Sequence, residues 1–555
     1  MDAAPVGQSL ILPFPTSPLP LINIKTRLLI LGSRHIKCDE TPNACRNCTS
    51  TGRKCDGYTQ YRLPFRKATL PVSKPSRSLI VCLPGLDSDE RRCLQFFEHN
   101  TIPMLVGYAD SEVWQRLVLQ MCHREPAVCH AVVALSAFHE NYERSSMNME
   151  PKPDHRHHHY ALEQYNRSMA MLRRRIQSND PQVRSITLMC CVVFVILELL
   201  EGDYTNAFAH LHQGLNILKT QSTHHALTTE RILAKAFLQL NTPRAYWNGP
   251  DVVVTGHPPK GSVSEVAYSK TPIHSIAEAK ERLRVLMNNI FHLQSLCNLF
   301  FRGEPEDPTS TTPLTLSAKQ TTLHHDLTDF ALDLKSFISS HKSNTAWTLR
   351  ETRSVDVILT HVATLTSMLG CSLDTTELGY DDFLPEFKRI NELCERITTS
   401  FVTEYGSYEN LPTMVTDVGV LPSLFWCCVR CRDAETRERA LQLLKMWPHR
   451  EGFYDSYLIL GICRGLMDIE EEGRDGEGFI PREARVHTHT VEVAEDRRSM
   501  VIRYVLAGAG GGEQERVVVL EYNSITLLVN GKENEGGQAA LLGKVSGMMS
   551  ICTSY

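Results

Sequence analysis

The feature that most constrains this chain is a set of four cysteines within eighteen residues, Cys38, Cys45, Cys48 and Cys55. Their spacing is Cys-x6-Cys-x2-Cys-x6-Cys, in a polar stretch rich in threonine, asparagine and charge that offers no apolar core for thiols. A Cys-x2-Cys pair places two sulfurs on one turn, and the two outlying cysteines complete a tetrahedral thiolate set suited to Zn²⁺. The spacing therefore predicts a zinc site rather than four unconnected buried thiols.

Charge is distributed unevenly along the chain. Residues 1–70 hold ten Lys and Arg against four Asp and Glu, a balance of +6, and the remaining residues carry a balance of −11. A basic end on an acidic body is expected where one small unit meets a polyanion. Eighteen cysteines in 555 residues, mostly scattered among apolar neighbours, favour a reducing compartment over a disulfide scaffold.

Residues 34–58 resemble the DNA-binding unit of fungal zinc binuclear cluster (Zn2Cys6) transcription factors, and are termed the finger below. The four cysteines match the third to sixth of the six in that family, and the texts RHIKCD (34–39) and GRKC (52–55) are typical of it. The resemblance implies a zinc-folded unit whose short helix recognises CGG-like triplets in the major groove of double-stranded DNA.

Carried over residue by residue, the resemblance implies two sets of basic side chains. The base-contacting positions fall on Arg34 and His35, with Lys37 close by, and a basic side chain can bond guanine O6 and N7. The side chains placed to neutralise phosphates, which gives affinity without reading sequence, are Arg46, Arg53 and Lys54.

The match stops abruptly at the start of the finger. Leu28 and Leu31 stand where the family has its first two cysteines, and Gly32 replaces the usual arginine. In the family six thiolates hold two zinc ions, so a complete dinuclear cluster cannot form from this sequence. Two explanations stay open: residues 1–33 are a gene-model artefact, or the finger is genuinely degraded.

Beyond the finger the chain predicts a helical body. From Asp89 onward apolar residues recur with helical period, and several blocks resemble the regulatory region that follows such fingers. These blocks are 111–142, 157–169, 203–218, 431–452 and 467–485. Helices are expected from Asp89, at 114–121, from Pro126, and at roughly 157–178, 183–201, 204–219, 275–301, 317–341, 350–368, 383–399, 433–446 and 455–472, and 303–316 is expected to be a loop.

The predicted fold is mostly α: a zinc-cluster unit joined by a Pro-rich linker to an all-α regulatory body, with a small C-terminal three-stranded β meander. The predicted segments are 1–33 (unmatched), 34–58 (truncated zinc-cluster DNA-binding domain), 59–88 (linker), 89–480 (helical regulatory domain), 481–522 (meander) and 523–555 (unassigned tail).

Other candidate sites have simpler explanations. His155, His157, His158 and His159 are better explained as a solvated helix start than as a metal site, because adjacent histidines point around a helix. The pair Cys428 and Cys431 lies in an apolar helical stretch, and is expected to pack in the core. The apolar run at 186–197 is too short to span a membrane and predicts a buried helix, so no membrane partner is expected.

These observations predict a sequence-specific transcription regulator rather than an enzyme, since the sequence shows no Walker loop, G-x-S-x-G elbow or H-E-x-x-H motif. Its cofactor would be Zn²⁺, its partners double-stranded DNA and the transcription machinery, and its location the nucleus. The family implies control of a fungal secondary-metabolite gene cluster. The alternative is a non-DNA-binding regulatory or interaction protein with a degraded finger.

Overall fold

A computed structural model describes most of the helical body. The described residues are 85–144, 155–178, 180–219, 228–247, 270–301, 311–344, 346–494, 499–507, 516–521 and 548–553, with Ser50, Tyr268 and Gly303. The chain divides into two compact units, 1–61 and 62–555. Apart from Ser50, everything described below belongs to the second unit.

Helices make up most of the described structure, as predicted. The α-helices are Ser88–Phe96 (α1), Ile102–Leu105 (α2), Val118–Cys122 (α3), Pro126–Arg144 (α4), His155–Ile176 (α5), Val183–Glu201 (α6), Tyr204–Lys219 (α7), Thr228–Trp247 (α8), Ile276–Phe301 (α9), Pro313–Asn344 (α10), Leu349–Gly370 (α11), Leu384–Tyr405 (α12), Leu421–Arg430 (α13), Ala434–Met446 (α14) and Ser456–Glu471 (α15). Shorter π-helical turns precede α2 and α3, at Phe97–Thr101 and Val113–Leu117, and 3₁₀ turns lie at Gly379–Phe383, Tyr408–Asn410 and Arg482–Ala484.

Several helices begin where the sequence supplies an N-cap. Asp87 and Glu90 form a reciprocal capping box at α1, and Thr348 forms one with Glu351 at α11. The side chain of Asp433 accepts a hydrogen bond from the Thr436 amide and caps α14, as its position predicts. Polar caps of this kind satisfy amide groups that the first helical turn leaves without partners.

The helix α6 forms the centre of the N-terminal half of the body. Every residue from 185 to 200 is buried, and the helix ends at Gly202, whose φ of 74° is the left-handed conformation that glycine adopts readily. By length and composition α6 could cross a membrane, but 89% of its most apolar eighteen-residue window is buried inside the protein. It is a core helix of the body, against which α4 and α7 pack.

The strands form two sheets. A small sheet of order β1-β2-β3 joins Met414–Val415 (β1), Arg450–Glu451 (β2) and Tyr454–Asp455 (β3). A four-stranded antiparallel sheet of order β6-β5-β4-β7 joins Val486–Ala494 (β4), Ser499–Leu506 (β5), Arg516–Glu521 (β6) and Met548–Thr553 (β7). Its inner face packs on α15 at Gly465, where a Cβ would lie 2.7 Å from Leu520.

Three predictions need correction. The body is not all-α, because the sheet β1-β2-β3 lies within it. The meander is a four-stranded sheet, since β7 comes from the tail that was left unassigned and pairs with β4. The predicted loop 303–316 is interrupted by α10, which begins at Pro313, a residue favoured in the first helical turn. Helix α8 was not predicted at all.

Candidate functional site

The predicted zinc and DNA site lies outside the described residues. This applies to the four cysteine ligands and to every basic residue assigned to DNA, namely Cys38, Cys45, Cys48, Cys55, Arg34, His35, Lys37, Arg46, Arg53 and Lys54. Within the finger the structure describes Ser50 alone, which is exposed in a turn. The finger therefore stays a prediction.

The structure shows how the two weaker candidate sites, the histidine run and the pair Cys428 and Cys431, are packed. His157, expected on a solvated helix start, is fully buried, and the ring of His158 lies edge-on to Phe138 with centroids 5.5 Å apart. Cys428 and Cys431 are buried in the core, as predicted. Across the described ranges, no group of three or more His, Cys, Asp or Glu side chains is arranged to hold a metal ion.

A polar site with several hydrogen bonds centres on Glu451 of β2, which is fully buried. Three consecutive amides at the start of α13 donate to its carboxylate, at 2.8 Å from Gly419, 2.8 Å from Val420 and 3.1 Å from Leu421. The Tyr108 hydroxyl also donates to it, at 2.5 Å. An anion at a helix N-terminus is stabilised by these amides and by the helix dipole.

His449 completes this site, which is termed the Glu451 hub. Its Nε2 lies 3.0 Å from Glu451 Oε1 and its Nδ1 lies 2.8 Å from the Trp447 carbonyl oxygen. Both ring nitrogens therefore lie within hydrogen-bond distance of oxygen atoms. The ring stacks on the Trp447 indole at 3.6 Å between centroids. Burial raises the pKa of Glu451, but the hydrogen bonds from His449, Tyr108 and the Gly419 amide outweigh burial and hold it below its ordinary value.

The hub joins the N-terminal helices to the C-terminal half. Tyr108 follows α2, whereas Glu451 lies some 340 positions later in the chain. Beside it, Arg450 donates to the carbonyl oxygens of Leu199 and Leu200 at 2.5 and 2.8 Å, at the C-terminal end of α6. A cation there donates to carbonyl oxygens of the last helical turn and complements the helix dipole.

Further contacts strengthen the same junction. Thr416 donates to the Leu105 carbonyl oxygen through both its amide and its hydroxyl. Phe208 of α7 stacks on Phe453, in the turn between β2 and β3, with ring centroids 4.4 Å apart. The small sheet thus connects α2, α6 and α7 to the rest of the body.

A second polar site, termed the arginine cluster, comprises the buried Arg430, Arg432, Arg437, Arg485, Glu377 and Glu470, with the exposed Asp381 at its edge. Glu470 of α15 accepts from Arg432 at 2.8 Å, from Arg437 and from the Val486 amide at 2.7 Å. Although burial opposes ionisation, the charges of Arg432 and Arg437 lower the pKa of Glu470 to about 2. The ion pairs and hydrogen bonds of the cluster connect α13, α14 and α15 to the start of β4.

Glu377 occupies the other end of the arginine cluster. It accepts from Arg430 at 2.5 Å and from His487 at 3.2 Å, while Arg485 donates to its carbonyl oxygen at 2.7 Å. Its φ of 61° lies in the left-handed region, which costs a non-glycine residue on the order of 1 kcal/mol. The buried ion pairs hold the backbone in that conformation.

Sequence reasoning missed both polar sites. Their members are separated by tens to hundreds of positions, so no local spacing reveals them. The available signal was charge next to an apolar helical stretch: Arg430 and Arg432 follow the run at 424–429 directly. A charge in such a run is expected to be paired when buried.

Part of the body is similar to a known family of proteins. Residues 92–241 match a family model described as "Fungal specific transcription factor domain". The matches support a fungal transcription factor. The matched segment contains Tyr108, Leu199 and Phe208, so the contacts of β2 and its turn hold this segment against the rest of the body.

Two curated proteins are similar to the chain. The aspercryptin biosynthesis cluster-specific transcription regulator atnN of Emericella nidulans is 24% identical over 596 residues, which cover 87% of this chain and 94% of that protein. Transcription regulator lscL of Purpureocillium lilacinum is 29% identical over 209 residues, covering 34% of this chain and 48% of that protein. Both are named as transcription regulators, not enzymes. No solved structure matches the chain.

Proposed function

We propose that this protein is a zinc-dependent, DNA-binding transcription regulator of a fungal biosynthetic gene cluster. The finger, residues 34–58, binds double-stranded DNA, and the helical body, 89–480, is its regulatory domain. One observation carries the proposal. A basic segment with thiolate spacing suited to zinc precedes, in one chain, a segment that matches the fungal transcription factor domain.

The chemistry of the donor set limits the metal content. Cys38, Cys45, Cys48 and Cys55 can complete one tetrahedral S4 site, because a structural zinc needs four ligands. With Leu28 and Leu31 in place of thiolates, a second zinc lacks ligands. Zinc would fold a unit too small to fold alone, and the thiolates would bind it in deprotonated form.

The same deficit bears on DNA recognition. Arg34 and His35 lie upstream of the first available ligand, so no metal–thiolate bond anchors the chain before them. Fixing such a segment on DNA costs about 1–2 kcal/mol per residue in conformational entropy. Phosphate contacts from Arg46, Arg53 and Lys54 do not depend on that anchor. The sequence as printed should therefore bind DNA weakly, with strong salt dependence and little preference for CGG.

The test compares the printed full-length chain with a triple variant, Leu28→Cys, Leu31→Cys and Gly32→Arg. We expect at most one zinc per printed chain, and a preference below about threefold for CGG-containing over scrambled duplexes. The triple variant should hold two zinc ions and prefer CGG by at least about tenfold, because each bidentate guanine contact contributes about 1–3 kcal/mol. Metal analysis and competition binding measure both quantities.

A control variant separates metal from charge. Cys45→Ser with Cys48→Ser removes two thiolates and no basic residue, so it should lose zinc while retaining salt-sensitive binding through phosphate contacts. Two zinc ions and CGG selectivity in the printed chain would contradict the proposed limit. Loss of all DNA binding in the triple variant would instead favour the alternative function, a regulatory or interaction protein with a degraded finger.

The regulatory target and location follow from the same proposal. The relative from Emericella nidulans is named as a biosynthesis cluster-specific transcription regulator, which suggests the same kind of target here. Deleting the gene should change the transcription of a contiguous group of biosynthetic genes. The basic stretch at 53–67 and the proposed function place the protein in the nucleus, alongside the transcription machinery. A tagged chain that stays cytoplasmic under every growth condition would count against this.

A further inference from the structure

An exposed serine follows a run of three arginines at the end of α5. The helix ends at Ile176, and Arg173, Arg174 and Arg175 lie in its last turn. Ser178 lies two residues beyond the helix and is exposed. The arginines therefore occupy the third, fourth and fifth positions before a serine, which is a charge pattern that an acidic substrate groove of a kinase recognises.

The three arginines have different surroundings. Arg173 and Arg174 are exposed, whereas the side chain of Arg175 is 31% exposed. Arg175 donates to the two carboxylate oxygens of Glu125 at 2.9 and 3.2 Å and to Asp180 at 2.7 Å. Glu125 is buried and directly precedes α4. Arg175 therefore connects the end of α5 to the start of α4.

The hydrogen bonds of Ser178 are local. Its hydroxyl and its amide both donate to the Arg175 carbonyl oxygen, at 2.7 and 3.0 Å. An enzyme that acts on this hydroxyl must also reach the neighbouring backbone, and an exposed position beyond a helix end allows this. Thr399 offers a comparison, because it is exposed and has Arg396 three positions before it, yet it lies inside α12.

We propose that Ser178 is a phosphorylation site for a serine/threonine kinase that recognises arginines before its target, and that the phosphate draws Arg175 away from Glu125. In the reaction, Ser178 Oγ forms a bond to the γ-phosphorus of ATP. The bond from that phosphorus to the β–γ bridging oxygen breaks, and ADP leaves. The hydroxyl proton passes to the catalytic aspartate of the kinase.

The expected effect on the body follows from charge. A phosphoserine carries a charge of about −1.5 to −2 at neutral pH and binds arginine through paired hydrogen bonds. Arg175 is already shared between Glu125 and Asp180, so a third and stronger anion competes for it. The phosphate would also lie at the C-terminal end of α5, where the helix dipole disfavours negative charge. Phosphorylation should therefore loosen the last turn of α5 and its contact with α4, both within the segment that matches the fungal transcription factor domain.

The first test treats the folded full-length chain with protein kinase B, an arginine-directed kinase, and ATP. Peptide mass spectrometry follows each hydroxyl separately. We expect Ser178 to be phosphorylated at least about tenfold faster than Thr399. The variant Arg173→Gln with Arg174→Gln keeps the pair of Arg175 with Glu125, and it should slow the reaction at Ser178 by at least about fivefold. Equal rates at Ser178 and Thr399, or an unchanged rate in the folded variant, would overturn the proposal.

The second test measures amide hydrogen exchange before and after phosphorylation. We expect the amides at 172–178 and 127–131 to exchange at least about threefold faster in the phosphorylated chain. Ser178→Ala, taken through the same kinase treatment, is the matched control and should show no change. Glu125→Gln should show the faster exchange without phosphate, and phosphorylation should then add little. Unchanged exchange in a fully phosphorylated chain would overturn the proposed release of Glu125.

Discussion

At the scale of single residues, Glu451 accepts several hydrogen bonds at the junction between the two halves of the body. Replacing Glu451 by glutamine removes the negative charge. The side-chain NH₂ of glutamine would also face the backbone amides and the Tyr108 hydroxyl, which are themselves donors. Because hydrogen bonds to a charged group contribute about 1.5–3 kcal/mol, Glu451→Gln should lower the free energy of unfolding by about 2–4 kcal/mol. Urea denaturation of the full chain measures the change.

The matched control is a glutamate at the surface. Glu112 pairs with Arg116 one helical turn away, and its side chain is 47% exposed. Glu112→Gln should change the free energy of unfolding by less than about 0.5 kcal/mol. If Glu451→Gln proved as mild as this control, the hub would not hold the two halves together.

A second residue-scale prediction concerns pH. The Tyr165 hydroxyl donates to Glu198 at 2.6 Å on the core helix α6 and lies 3.0 Å from His210. Burial, partly offset by Tyr165, raises the pKa of Glu198 from 4.5 to about 7. Between those values the folded chain binds more protons at Glu198 than the unfolded chain, so this residue stabilises below pH 4.5 and loses that contribution as pH rises through 7.

Replacing Glu198 by glutamine removes this dependence. The Glu198→Gln variant should gain stability over the unmodified chain as pH rises from 5 to 8, by up to about 3 kcal/mol at roughly 1.4 kcal/mol per pH unit. Burial lowers the pKa of His210 to about 4, which acts in the opposite sense in both proteins, so the difference between the two profiles isolates Glu198. Thermal midpoints across that range measure it, with the exposed Glu163→Gln as control. Parallel profiles would contradict the prediction.

At the scale of elements, the close approach of α7 and α8 depends on Gly214. A Cβ at this position would lie 2.0 Å from the fully buried ring of Phe237. Gly214→Ala should therefore destabilise the body by about 1–3 kcal/mol through overpacking. Gly476→Ala, where no atom lies within 4 Å, is the control and should be nearly neutral. Denaturation of the two variants side by side tests the prediction, and equal effects would refute it.

The elements also show what sequence could and could not predict. Helices α6 and α7 were predicted with correct bounds because one apolar run ends at Gly202 and the next amphipathic run starts at once. Strand β7 was missed because its pairing with β4 is non-local and its residues do not alternate. The two-residue strand β2 is too short for any periodic signal, yet it supplies both Arg450 and Glu451. The zinc site of the finger rests on local cysteine spacing and its DNA-binding role on the family resemblance, and both stay predictions.

At the scale of the whole molecule, the segment that matches the fungal transcription factor domain is one part of a larger helical body. Its boundary at 241 falls inside α8, and Tyr108 belongs to an apolar core that continues through residues as distant as Ile502. Contacts from Arg450, Glu451 and Phe453 hold the matched segment in place. Packed side chains and buried hydrogen bonds therefore connect the C-terminal half to the matched segment.

The last prediction separates the metal requirement of the finger from the stability of the body. Between residues 93 and 463, the twelve cysteines that the structure describes are all buried as free thiols, and apolar packing with buried ion pairs accounts for the contacts between elements. Chelation should therefore remove zinc from the full chain without lowering its helical circular dichroism or the midpoint of its main thermal transition. Metal analysis before and after EDTA verifies the removal. The variant Cys45→Ser with Cys48→Ser, which lacks finger ligands, should unfold at the same temperature as the unmodified chain. A zinc-dependent loss of helical signal in either experiment would mean that the body contains a metal site of its own, with Cys428 and Cys431 the first residues to examine.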